Sequence, residues 1–191
     1  MTNNQSPIQE FEGFFSHDEC QQILEQRIKD SIGPNGLGDF LVYRDEADEY
    51  WKPIIDNIWS KVFPGLESYL SNLGGLFPLE KIDISHVGFL NDEDGSFTEM
   101  HYDWEVAIVA KKLLIKPFVM LIYLTDVEEG GELYFPLQEI KIKPKLGNAA
   151  IFPCNYSYPH LSTPVTKGSK HVCRVTFKVE PSTYEVDELE I

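Results

Sequence analysis

Residues 117–153 read PFVMLIYLTDVEEGGELYFPLQEIKIKPKLGNAAIFP. Within this stretch lie four short runs, 117–125, 131–136, 139–144 and 148–153, rich in Val, Ile, Leu, Tyr and Phe. Turn clusters separate them at Glu128–Gly131 and Pro144–Gly147. Each run is too short for a helix, and β-branched and aromatic side chains suit a pleated, buried surface. Working outward, residues 81–90, 97–104 and 169–179 have the same character, with a further turn at Asp92–Gly95. Many strands of this length, regularly punctuated, predict a sandwich or jelly roll.

The chain before residue 80 carries a different pattern. Ser16-His17-Asp18-Glu19 is a capping box, in which the Ser16 hydroxyl takes a free amide and Glu19 reaches back. Cys20, Ile23, Leu24 and Ile28 follow at helical spacing, and Gly33-Pro34-Asn35-Gly36 stops the run. A second helix is expected from near Pro53, since proline is tolerated in a first turn. Its apolar stripe is Ile54, Ile55, Ile58, Trp59, Val62 and Phe63, then Leu66, Tyr69, Leu70 and Leu73. Pro64 is expected to interrupt or kink it, and Gly74-Gly75 to close it. The expected fold class is α+β, mainly β, with the N-terminal helices packed on one side of the strands. The expected organisation is one domain over 1–191. It comprises a helical part to about 78, a β core over about 79–179 and an acidic tail over 180–191 that frays.

Charge narrows the function classes. The 191 residues hold 16 Lys+Arg against 31 Asp+Glu, a formal net charge of −15. Such a surface repels phosphate backbones and anionic lipid, so neither nucleic acid nor membrane is an expected partner. No apolar run approaches the roughly 20 residues that span a bilayer. The N-terminus lacks a basic region followed by an apolar stretch, and Cys20, Cys154 and Cys173 are an odd number without metal-ligand spacing. A reducing, cytoplasmic setting with three free thiols is the expectation. The sequence carries no signal for oligomeric state.

The chemistry rests on a few side chains. In a strand, residues two apart share a face, so His101 and Asp103 would offer an imidazole nitrogen and a carboxylate oxygen together. A divalent metal of intermediate softness accepts that pair. A half-exposed His–Asp pair without metal is the plainer alternative. His160, following the apolar Ile151-Phe152-Pro153 and an aromatic stretch, supplies a second imidazole. Two His and one carboxylate with open positions form the facial triad of non-haem Fe(II) oxygenases. Lys170, Val172, Arg174 and Thr176 share one face of the last strand, and His171, Cys173, Val175 and Phe177 the other. A cation facing a core needs an anionic partner. That partner is a ligand carboxylate or an internal acidic residue, unless the side chain snorkels to water. Lys170 suits the far end of a dicarboxylic oxo acid whose near end chelates the metal.

These pieces, in order, resemble the Fe(II)- and 2-oxoglutarate-dependent dioxygenases, specifically the prolyl 4-hydroxylase-like branch. The likeness covers roughly residues 80–179, with a weaker echo in 14–20. It is carried by His101-Tyr102-Asp103-Trp104, by Leu121–Asp126 with Gly130-Gly131-Glu132-Leu133 and Phe135-Pro136, and by Gly147–Phe152. It is completed by His160-x3-Pro164-Val165-x2-Gly168-x-Lys170. The resemblance implies a double-stranded β-helix of the jelly-roll, cupin-like kind. It implies Fe(II) at His101, Asp103 and His160, and 2-oxoglutarate anchored by Lys170. Tyr123 matches a tyrosine that often joins that anchor, and Arg174 is the alternative cation. The co-substrates are 2-oxoglutarate and O2, with ascorbate as a candidate addition. Many relatives carry a tyrosine one strand before the metal motif, where this chain reads Val87-Gly88-Phe89-Leu90, and Phe89 has no hydroxyl.

The implied reaction hydroxylates an unactivated C–H bond, most simply on a prolyl residue of a peptide or protein, releasing succinate and CO2. A free amino acid or other small molecule is the alternative substrate. A jelly-roll module that binds metal or ligand without turnover is the alternative class. Trp104 and Glu105 are candidate substrate contacts, against simple packing and exposure. Residues 90–97 are a candidate lid, against an ordinary hairpin loop.

Overall fold

Chain order alternates two helices with short strands, and the computed structural model describes residues 6–31, 40–42, 47–75, 79, 82–92, 95–103, 106–109 and 112–179. The elements are β1 (Gln9–Phe11), α1 (His17–Ser31), β2 (Phe40–Val42), α2 (Trp51–Asn72), β3 (Ile82–Asp92), β4 (Thr98–His101), β5 (Val106–Val109) and β6 (Lys112–Ile115). They continue with β7 (Phe118–Tyr123), β8 (Glu129–Gly130), β9 (Leu133–Phe135), β10 (Ile140–Ile142), β11 (Ala149–Pro153), β12 (His160–Ser162), β13 (Val165–Lys167) and β14 (Lys170–Val179). The larger sheet runs β1-β11-β7-β14-β3-β2, and the smaller β10-β9-β12-β4. The β5–β6 hairpin joins the larger sheet through Ile115 opposite Val179, and β8 pairs β13 as a separate ribbon. This is the predicted mainly-β jelly roll.

Strand β7 shows why its sequence is apolar without alternation. All six of its residues are buried. Phe118, Met120 and Ile122 enter the core facing the helices, with Ala149, Ile151, Cys173, Val175 and Phe177. Val119, Leu121 and Tyr123 enter a second core between the sheets, with Leu133, Phe135, Ala150, Phe152 and Val172. A central strand covered on both faces reads as a continuous hydrophobic run. The same period of two puts Val172 on the inter-sheet side of β14 and Cys173 on the helix side.

The helices form as their signals require. Ser16 and Glu19 complete the capping box: the Glu19 amide donates to Ser16 Oγ at 3.3 Å, and the Ser16 amide donates to Glu19 Oε2 at 2.8 Å. Helix α1 buries Cys20 and Ile23, whereas Ile28 is exposed rather than part of the stripe. Helix α2 begins two residues before Pro53 and buries Ile54, Ile55, Ile58, Val62, Leu66, Tyr69 and Leu70. It runs continuously through Pro64, so the expected interruption is not found. Val62 and Leu66, on either side of that proline, are both fully buried in the same core, and this packing outweighs the missing hydrogen bond. Gly65 beside it admits the Phe14 ring: a Cβ there would lie 2.7 Å from Phe14 Cζ. The C-terminus closes as expected, with the Gly75 amide donating to Leu70 O at 2.9 Å and the Gly74 amide to Ser71 O at 3.1 Å.

Two features depart from the sequence reading. The first part of the chain is not purely helical, because β1 and β2 form the two ends of the larger sheet. Residues 106–109 and 112–115, to which the sequence reading assigned no strand, form the β5–β6 hairpin. The expected stop at 33–36 and the tail from 180 lie outside the described residues. Cys20, Cys154 and Cys173 are free and buried, and burial pushes all three thiols up, Cys20 to about 11. Among the described residues no helix is long and apolar enough to cross a membrane.

Candidate metal centre

Strands β4 and β12 are antiparallel neighbours, and they place His101 directly opposite His160. The two imidazole rings stand 4.4 Å apart, centroid to centroid. Thr98 and His101 are three positions apart on β4 where their partners Ser162 and His160 are two apart on β12, so a bulge lies between them. Such a bulge re-aims side chains, and here both Thr98 and His101 face the same cavity. Strand β4 ends at His101, so Asp103 is not on the strand as the sequence reading supposed. The chain turns after His101 and still brings the carboxylate in. Asp103 Oδ1 lies 3.6 Å from His101 Nε2, and Oδ2 lies 3.4 Å from His160 Nε2. The three candidate ligand atoms all fall within 4.8 Å of one another.

Backbone carbonyls fix which nitrogen faces the cavity. His101 Nδ1 donates to Glu99 O at 2.8 Å, and His160 Nδ1 donates to Tyr158 O at 3.1 Å. A carbonyl only accepts, so each Nδ1 carries the hydrogen and each Nε2 is the nitrogen turned to a cation. The rings of Phe135 and Phe152 hold the His160 imidazole at 5.4 and 4.7 Å. Burial pushes the Asp103 carboxyl up, but the two imidazoles beside it, His101 and His160, outweigh burial and hold it well below the usual range. The neighbouring Asp103 carboxylate raises His101 against the opposing effect of burial. The result is an ionised carboxylate between two imidazoles, a donor set of two nitrogens and one oxygen that suits a borderline divalent ion.

The triad opens onto a cavity of about 230 Å³ lined in part by Leu121, Tyr123, Leu133, Val172, Lys170 and Arg174. Lys170 is only 6% exposed, and its Nζ donates to Ser162 Oγ. Tyr123 Oη, Asn91 Oδ1 and Arg174 Nε are buried with no hydrogen-bond partner among the described residues. Leaving a buried polar group unpaired costs about 1–3 kcal/mol. All three residues line the cavity and suit a polar ligand, and the Lys170 ammonium with the Ser162 hydroxyl it bonds fits a carboxylate.

The sequence candidates sort as follows. His101, Asp103 and His160 converge. Lys170 and Arg174 line the same cavity from one face of β14, yet at different places: Lys170 bonds Ser162, while Arg174 Nη1 lies 3.9 Å from Asp103 Oδ1. Tyr123 has a fully buried ring in the inter-sheet core and is one of the residues lining the cavity. Phe89 is not a cavity residue. It faces the helices and packs on Trp51, centroids 4.9 Å apart, so its missing hydroxyl is irrelevant there, and its neighbour Leu90 lines the cavity instead. Trp104 and Glu105 lie outside the described residues. Of the candidate lid, Leu90–Asp92 belong to β3, the Gly95 amide donates to Val165 O, Ser96 O accepts from the Val165 amide, and 93–94 lie outside the described residues. Sequence reasoning missed Ser162, Asn91 and Thr98. Ser162 was findable, being two residues beyond His160 on the same strand; the other two depend on register.

A family model of the 2OG-Fe(II) oxygenase superfamily matches residues 86–178, a span that contains the triad, Lys170 and Arg174. The chain is 28% identical over 195 residues to probable prolyl 4-hydroxylase 9 of Arabidopsis thaliana, covering 85% of this chain and 65% of that protein. Among solved structures it is similar to the viral collagen prolyl hydroxylase of Paramecium Bursaria Chlorella virus-1 in its 2OG complex. That match has a TM-score of 0.70 and 22% identity over 92% of this chain and 97% of the other. A prolyl-4-hydroxylase of Pseudomonas putida matches at TM-score 0.63 and 16% identity, covering 91% of this chain and 92% of the other.

Proposed function

We propose that this chain is a 2-oxoglutarate-dependent dioxygenase that hydroxylates a prolyl residue of a peptide or protein, a reading supported by the match of residues 86–178 to the family model of the 2OG-Fe(II) oxygenase superfamily. One observation carries the reading: the three ligand atoms of His101, Asp103 and His160 and the ammonium of Lys170 open onto one cavity. His101, Asp103 and His160 would hold Fe(II). What that ion supplies when bound is activation of O2, coupled to decarboxylation of the oxo acid to succinate and CO2.

The protein's own groups do the rest. The Nδ1 hydrogen bonds to Glu99 and Tyr158 keep both Nε2 atoms aimed inward before any metal arrives. Lys170, with Ser162 and the Tyr123 hydroxyl, binds the far carboxylate of 2-oxoglutarate. Leu121, Leu133 and Val172 give the cavity apolar walls that exclude water and strengthen these charged contacts. The prolyl substrate is supported by the relatives, which bear prolyl hydroxylase names. One further solved relative, from Trichoplax adhaerens, is a prolyl hydroxylase in complex with a hypoxia inducible factor peptide fragment. A chain of net charge −15 suits a neutral or basic polypeptide better than an acidic one. A reducing compartment suits both ferrous iron and three free cysteines.

The test is succinate release with Fe(II), 2-oxoglutarate and ascorbate, on addition of proline-containing peptides, free proline or neither. Peptide-dependent release with gain of one oxygen atom on a prolyl residue is expected, and His160→Ala should abolish it. Release with free proline alone would move the substrate to the small-molecule class. Failure of the wild type to bind 2-oxoglutarate in the presence of a divalent metal would overturn the enzyme reading.

A further inference from the structure

The reading above gives no role to the second cation of the cavity. Arg174 sits at the centre of the larger sheet, opposite Gly88 on β3 and Leu121 on β7. Gly88 presents no side chain, and the guanidinium lies across it: a Cβ there would stand 3.6 Å from Arg174 Nε and 3.7 Å from Nη2. Any longer side chain at 88 would compete for that space. Nη1 then reaches to 3.9 Å from Asp103 Oδ1. That distance is too long for a hydrogen bond. Nε is buried and has no partner among the described residues. A guanidinium carries five N–H donors in a rigid fork matched to a carboxylate. One loose approach to a carboxylate already shared between two imidazoles uses little of that capacity.

Resting on the 2-oxoglutarate reading of the cavity, we propose that Arg174 is a carboxylate receptor at the metal end, holding the 1-carboxylate of the oxo acid while Lys170 holds the other. The two cations are four positions apart on one strand, about 13 Å along β14, so the same face of the strand brings one to each end of the cavity. Charge balance favours the same ligand. Lys170 and Arg174 against Asp103 leave one net positive charge, and a divalent ion raises this to three. A dicarboxylate reduces it to one, whereas a monocarboxylate leaves two. In a chain of net charge −15, this cavity is a local cationic site selective for a doubly negative ligand.

The experiment uses the full chain with Mn(II) under anaerobic conditions and, separately, without metal. Three ligands are titrated by calorimetry or ligand-observed NMR: 2-oxoglutarate, levulinate (the same skeleton without the 1-carboxylate) and 2-oxovalerate (without the far carboxylate). Arg174→Met should weaken 2-oxoglutarate about 10–100-fold, the size of a charge-assisted pair, and leave levulinate unchanged. Lys170→Met should do the reverse, weakening 2-oxoglutarate and levulinate but leaving 2-oxovalerate unchanged. Arg174→Lys should recover part of the loss. Metal-free wild type should keep a preference for 2-oxoglutarate over levulinate that Arg174→Met lacks. The proposal fails if Arg174→Met binds 2-oxoglutarate as the wild type does. It fails equally if the variant loses affinity for 2-oxoglutarate and levulinate in equal measure, or changes Mn(II) affinity alone, since the guanidinium then only steadies Asp103. Wild type that takes up Mn(II) but binds no 2-oxoglutarate overturns the underlying reading, a result distinct from either.

Discussion

The Tyr123 hydroxyl is buried inside the inter-sheet core and bonds to nothing among the described residues. Desolvation pushes its ionisation far above the ordinary tyrosine range, so it is a neutral donor at any working pH. A donor kept without an acceptor is a cost to the empty fold and a gain to a ligand-bound one. Tyr123→Phe is therefore expected to leave the metal-free protein as stable as wild type or about 1 kcal/mol more stable, by urea denaturation. The same change should weaken 2-oxoglutarate binding about tenfold. Loss of stability without loss of affinity would make the ring a packing residue only. Asp103→Asn is the complementary case, because it keeps shape and removes the charge that both imidazoles face. Its Mn(II) affinity should fall more than about 100-fold, beyond the 10–100-fold range for residues one layer away from a metal, and calorimetry reads it directly. His101, Asp103, His160 and Lys170 were legible in the sequence because each has a chemistry that few positions need. Arg174's approach to Asp103 was not, because it depends on Gly88 lying opposite in register, which no spacing along one strand reveals.

At the scale of elements, the chain entering α1 is tied to the sheets by a backbone hydrogen bond. The Phe15 amide donates to Gly147 O at 2.9 Å, and Gly147 has φ +79 with Phe15 O only 2.2 Å from where a Cβ would stand. Gly147→Ala meets both a forbidden backbone region and a fixed carbonyl, and should cost at least about 3 kcal/mol, measured as a fall in denaturant midpoint. Glu19 joins α1 to α2 by accepting from Lys61 Nζ and Asn57 Nδ2 while completing its own cap. Burial pushes its carboxyl up, but Lys61, Ser16 and Asn57 outweigh that and lower it from 4.5 to about 2. A lowered acid pKa stabilises the fold above the unfolded value, and that stability is lost as pH falls from about 4.5 through about 2. Glu19→Gln should thus lose about 1–2 kcal/mol at pH 7 and match wild type near pH 2. A pH-independent difference would assign the loss to packing instead. The longer strands and both helices were readable because burial on one or two faces leaves a period in the sequence. Strands β1, β2, β8 and β13 have two or three residues each, lie outside the apolar runs, and exist because a neighbour offers unpaired backbone. The passage of α2 through Pro64 was likewise unreadable, because tertiary burial decides it.

Across the whole molecule the larger sheet divides two cores with different duties. The helix-side core holds most of the large apolar side chains and no member of the triad. The inter-sheet core is smaller, and the cavity with its unpaired polar atoms opens into it. Ligand that binds only the folded state adds stability through mass action, about 2.7 kcal/mol at 100 times its Kd. For a chain of this size each kcal/mol raises Tm by about 2–4 °C, so saturating Mn(II) with 2-oxoglutarate should raise it by about 5–10 °C. Two variants separate the cores. Ile58→Val trims a fully buried helix-side residue; it should lower every Tm by the equivalent of about 0.5–1.5 kcal/mol and leave the ligand increment intact. Lys170→Met acts inside the cavity; it should keep the Mn(II) increment and lose the part added by 2-oxoglutarate. Scanning calorimetry of the three proteins, each alone, with Mn(II), and with both ligands, reads all of these at once. If the oxo-acid increment survived in Lys170→Met, the ligand would be bound somewhere other than the cavity between the sheets.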